Sequence, residues 1–162
     1  MSAKETPVAA VGSRREGRER ILSLLYEAEI KGVGLGELIE GLPLPLSGYA
    51  ATLVHGLEED LSIVDQHIEE VSHHWKVSRM PAVDRALLRI ATFELLRRQD
   101  VPSTAVISEA VELAAQYSTD ASSKFVNGVL AQLMKGLRPA EPSIAQNLDA
   151  SDLRDSDHVG SG

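Results

Sequence analysis

A chain of 162 residues, 43% hydrophobic and 25% charged, is long enough to bury one core and polar enough for a globular domain. It has no cysteine, which excludes disulfides, Cys-ligated zinc and thiol nucleophiles together. Its net charge of −8 excludes indiscriminate coating of nucleic acid, and no apolar run is long enough to span a membrane.

The front of the chain lacks the apolar centre of a secretion signal, so a cytoplasmic location is expected. Charge is uneven: +2 over residues 1–20, −7 over 21–136 and −3 over 137–162. The one locally basic stretch is "SRREGRER", residues 13–20. Residues 1–13 read as a flexible leader. From Arg14 to Lys31 the spacing predicts a helix with Ile21, Leu24, Leu25 and Ala28 on one face, stopped by Gly32 and Gly34. "LGELIEG" suits a short second helix, and "LPLPLS" a proline-punctuated linker in which Ser47 can cap the next helix. Residues 48–75 read as two helices divided near "DLSIVD".

Pro81 fits the first turn of a clear helix through "AVDRALLRIATFELLRRQ". "DVPSTAV" breaks the chain and "TAVISEAVELAAQY" forms the next helix. Then comes "SSKFVNGVLAQLM", residues 122–134, with Ser122 and Ser123 as caps. Residues 137–162 lack periodicity and read as a disordered acidic tail. With no strand-like alternation and no repeat, the expected fold is all-α. It is a compact bundle of about six or seven helices, over residues 14–136.

Few positions offer chemistry. The glycines of "GVGLGELIEG" follow a helix rather than a strand and miss dinucleotide spacing. Adjacent His73 and His74 point about 100° apart on a helix and lack the i, i+4 spacing of a zinc pair, so a polar helix end with a packed Trp75 explains them. No Ser/His/Asp set, paired acid/base carboxylates or cofactor loop can be picked out, so neither an enzyme nor a cofactor or metal is expected.

Glu94 shares a helical stripe with Val83, Leu87 and Ile90, which puts a carboxylate on a core face. It needs a partner there, either an internal cation or a binding surface. Arg14 and Arg18 continue the stripe of Ile21 and Leu25 past the core, where they can grip an anion, although Glu16 and Glu19 dilute the charge. Asn127 and Gly128 sit mid-helix at a cost of roughly 0.7 and 1 kcal/mol against Ala. Two readings compete: close helix packing with Asn127 tying a loop, or a small polar floor for a ligand beside Lys124.

Together "RREGRERILSLLYEAEIKG", "W-x-x-x-R-M-P-A-V-D-R-A-L-L-R-I-A-T-F-E-L" and "V-I-S-E-A-V-E-L-A" followed by "KFVNGVL" resemble the NusB family of bacterial transcription antitermination factors, over roughly residues 14–134. The resemblance implies an all-helical RNA-binding protein. It would pair with the ribosomal protein NusE, hold the boxA element of rRNA leaders and join elongating RNA polymerase. By motif position Arg14, Arg15 and Arg18 match the family's arginine box and so imply a phosphate clamp. Lys124, Phe125 and Asn127 match the helix adjoining the RNA surface, and Tyr26 and Asp84 the NusE contact. Glu16, Ser108 and Ala115 depart from the family pattern and weaken the positive surface. Some members form homodimers that cover the arginine region, so monomer and homodimer both remain open. The rival reading is a self-associating helical scaffold with weak or no RNA binding of its own.

Overall fold

Between Asp84 and Leu95 every side chain except Arg89 is buried. A helix with almost no solvent face belongs in the middle of a bundle, and the rest of the chain is arranged around it. The computed structural model describes residues 7–73 and 75–141, with residues 7–12 as backbone only, so His74 lies outside the described residues. Among the described residues six α-helices run in the order α1 (Pro7–Lys31), α2 (Leu35–Glu40), α3 (Gly48–Val71), α4 (Ala82–Arg97), α5 (Ser103–Tyr117) and α6 (Asp120–Leu137). A 3₁₀ turn, Val77–Arg79, precedes α4. Helix α4 packs against α1, α3, α5 and α6, and the core gathers Leu24, Leu53, Leu113 and Leu130 with Leu88 of α4. The fold class is the expected all-α bundle. Among the described residues no helix is long and apolar enough to cross a membrane.

Four boundaries differ from expectation. Helix α1 begins at Pro7, so residues 7–13 of the expected leader are helical, while residues 1–6 lie outside the described residues. Residues 48–71 form one helix, not two. No Gly or Pro interrupts "DLSIVD", and its acids serve α4: Asp60 receives Arg97, and Asp65 accepts two hydrogen bonds from one edge of the Arg89 guanidinium, both at 2.8 Å. Helix α6 starts at Asp120 because Thr119 caps it, its Oγ1 accepting the Ser122 N–H at 3.0 Å. Ser122 is therefore inside the helix rather than at its cap. At the other end the chain stays ordered past Leu137, with Arg138 buried; residues 142–162 of the expected tail lie outside the described residues.

Gly56 sets how closely α3 approaches α4. A Cβ there would stand 2.0 Å from Phe93 Cζ and 2.2 Å from Cε2. Overpacking costs about 1–3 kcal/mol, which exceeds the roughly 1 kcal/mol of helix propensity that Ala gains over Gly. Gly56→Ala is expected to lower the melting temperature and Phe93→Leu to recover part of that loss in the double variant. An unchanged melt for the single variant would show that the ring moves freely.

Candidate nucleic-acid interface

The buried carboxylate of α4 finds its counter-charge in the arginine box. Arg18 is 4% exposed and Glu94 1%. The Arg18 guanidinium donates through Nε at 2.8 Å and through its terminal nitrogen at 2.7 Å, a bidentate pair, and the Tyr49 hydroxyl adds a third donor at 2.9 Å. Burial alone would lower Arg18, but the Glu94 carboxylate outweighs it and the net shift is upward, so the guanidinium stays charged. Burial and then Glu94 push the Tyr49 phenol far above its usual range, which keeps it a donor. Arg18 is thus held inside the fold as a structural cation, at a position for which the family resemblance implied a phosphate clamp. The physical reason is its place on the apolar stripe of α1, facing the buried Glu94 carboxylate.

Arg14 and Arg15 remain on the surface but are not bare. Arg14 meets Asp100 at 3.3 Å, and Asp100 also receives Arg98 at 3.0 Å. Arg15 stands 3.7 Å from Glu19 and reaches α5 at Glu109 (3.9 Å) and Glu112 (3.5 Å). Exposed pairs of this kind contribute about 0–1 kcal/mol, so a phosphate can displace them at small cost. Arg20 is exposed and makes no ion pair among the described residues. The departures Ser108 and Ala115 are both exposed on α5.

On α6, Lys124, Asn127 and Gly128 are exposed and Phe125 is half-buried. The side-chain hydrogen bonds of this helix and its cap come from Thr119, Ser122 and Ser123, with Asn127 in none of them. Beyond its chain neighbours and the backbone of its own helix, no atom of the described residues lies within 4 Å of a Cβ placed on Gly128. Close helix packing with Asn127 as a loop tie therefore does not explain the pair. Sequence reasoning also understated Trp75, which is 49% exposed and tilted at 45° against Phe125, ring centroids 5.5 Å apart. Among the described residues the α1 arginines and the Lys124–Asn127 edge line separate surfaces. Helix α5 lies between them, taking Arg15 on one side and the Ser123 hydroxyl, donated to Val111 O at 3.4 Å, on the other.

Tyr26 and Asp84, paired only by the family resemblance, part company in the fold. Tyr26, 45% exposed, lines a groove of about 610 Å³ with Glu16, Glu19, Arg20, Leu22, Val83 and Tyr117. Asp84 is buried in the first turn of α4 and accepts the Ser118 hydroxyl at 3.3 Å. An acid in that turn also suits the helix dipole. Beside it, Arg85 donates to Val77 O and Met80 O, both at 2.9 Å, and pairs with Glu29. Burial, then Arg89, lowers the Arg85 guanidinium.

The same arrangement of helices recurs in known proteins. Residues 15–135 match the NusB family model. The chain is 43% identical over 127 residues to the "Transcription antitermination protein NusB" of Kineococcus radiotolerans, covering 76% of this chain and 93% of that one. The protein of the same name from Beutenbergia cavernae is 40% identical over 139 residues, covering 77% and 91%. Among solved structures, T. maritima NusB superposes with a TM-score of 0.68 at 31% identity, covering 84% of this chain and 96% of that one. A second, of the antitermination factors NusB and NusE in complex with dsRNA, gives 0.65 at 27% identity, covering 76% and 97%. With the matched span running from Arg15 of α1 to Lys135 of α6, the chain belongs to the NusB family.

Proposed function

We propose that this chain is a cytoplasmic, non-catalytic transcription antitermination factor. It holds boxA-type rRNA leader RNA together with NusE and joins elongating RNA polymerase to suppress premature termination. The observation that carries the reading is the exposed edge of α6 at Lys124 and Asn127, whose side chains make no ion pair or hydrogen bond among the described residues, in a chain whose relatives are named antitermination proteins. Arg14 and Arg15 supply the second set of cations, each released from a weak surface pair when a phosphate arrives. Tyr26 and its groove supply the NusE face. The acids around Arg15 keep affinity for RNA alone low, which makes the protein partner part of the binding event.

The triple variant Arg14→Ala, Arg15→Ala, Lys124→Ala is expected to bind boxA RNA more weakly. It should also flatten the log–log salt dependence by about two units, since each neutralised single-strand phosphate contributes roughly 0.7. The Arg18 pair is left untouched, so the fold persists. Parent-like binding by the triple variant at every salt concentration would sink the clamp and favour the self-associating scaffold. Solution mass alone and with NusE and boxA RNA then reads monomer, homodimer or ternary complex.

A further inference from the structure

Gly128 stands mid-helix with ordinary negative φ and open space where a Cβ would lie. Nothing inside the fold asks for glycine there. What its absent side chain leaves is room: Gly128 lines a groove of about 560 Å³ between the end of α3 and α6, walled by Val71, Trp75, Phe125 and Val129. That volume falls within the roughly 300–1,000 Å³ of small-ligand sites. Trp75 is the chain's single tryptophan, and its half-exposed ring meets Phe125 at 45°, so part of the indole remains open to the groove. Lys124 and His73 also line it, and no carboxylate does among the described residues, in a chain of net charge −8.

Flat apolar walls, room over a bare helix backbone and a cation at the rim fit one ligand chemistry. Aromatic side chains stack any exposed base, and a lysine takes the phosphate beside it. We propose that Trp75 and Phe125 form a stacking platform for an unpaired nucleobase of bound RNA, with Gly128 giving the base its room and Lys124 holding the adjacent phosphate. This rests on the RNA-binding function proposed for the chain and adds what the groove takes: a splayed single-stranded base. A fully paired duplex keeps its bases stacked inward and meets the chain through its backbone.

The full-length chain is titrated with boxA RNA as a single strand and annealed to its complement, following the fluorescence of Trp75. The single strand is expected to quench it and the duplex to leave it unchanged. Gly128→Leu fills the groove with a better helix former, so its melting temperature should hold or rise, while its single-strand affinity falls about tenfold. Trp75→Leu, read with labelled RNA, should fall by a similar factor. Neither variant removes a charge, so both salt slopes should match the parent's. Salt-dependent binding of the single strand without quenching, with Gly128→Leu binding like the parent, overturns the platform and leaves the RNA reading standing. No RNA binding at any salt, alone or with NusE, overturns both together. Quenching by NusE without RNA makes the groove a protein site and also overturns the proposal.

Discussion

Glu94→Ala is expected to destabilise the fold by about 3–5 kcal/mol, because it leaves the Arg18 guanidinium charged, buried and unpaired. Arg18→Ala should cost a similar amount from the other side, leaving a carboxylate 1% exposed with only the Tyr49 hydroxyl. The two losses should not add, since each variant already breaks the same interaction. Replacing the whole cluster at once, as Arg18→Met, Glu94→Leu and Tyr49→Phe, should recover most of the stability, because apolar residues of similar volume need no counter-charge. Urea unfolding midpoints measure all of these. The pair also separates structure from function: in Arg18→Ala, RNA binding should track the folded fraction and keep the parent's salt slope. A flatter slope in the folded protein would return Arg18 to the phosphate clamp.

Truncation after Leu137 is expected to lower stability by about 3 kcal/mol, or roughly 10 °C in melting temperature, whereas truncation after Glu141 should leave it nearly unchanged. The difference is Arg138. Its guanidinium donates to Glu94 O at 3.0 Å, Leu95 O at 3.2 Å, Arg98 O at 2.9 Å and Val101 O at 2.6 Å, and to the Ser103 hydroxyl at 3.0 Å. Three of those carbonyls close the C-terminal turn of α4, which places a cation on the negative end of the central helix. Arg138→Lys should restore only part of the loss, since an ammonium cannot present the planar fork that these acceptors share. Equal melting temperatures for the two truncations would show that the α4 end is satisfied by water instead.

Helical spacing made much of this fold legible. Apolar positions three and four apart placed the major helices, and Gly32, Pro81 and Pro102 marked breaks close to those observed. Periodicity also put Glu94 on a core face and Arg18 on the stripe of α1, two halves of one pair. Sequence alone did not join them, because 76 residues separate them and spacing reports only neighbours on the same helix. Tertiary packing made that choice, and in doing so took Arg18 from the surface and left Arg14 and Arg15 there. Packing likewise decided Arg138, whose surroundings in sequence are aperiodic, and Asp84, whose carboxylate turned inward to Ser118. Trp75 obeys the same rule: it sits in the irregular link after α3, where no period predicts a direction, and α6 folding back beside it set its ring against Phe125. Local propensity is written along the chain, but a buried charge or an exposed ring takes its meaning from groups that only the folded bundle brings within a few ångströms.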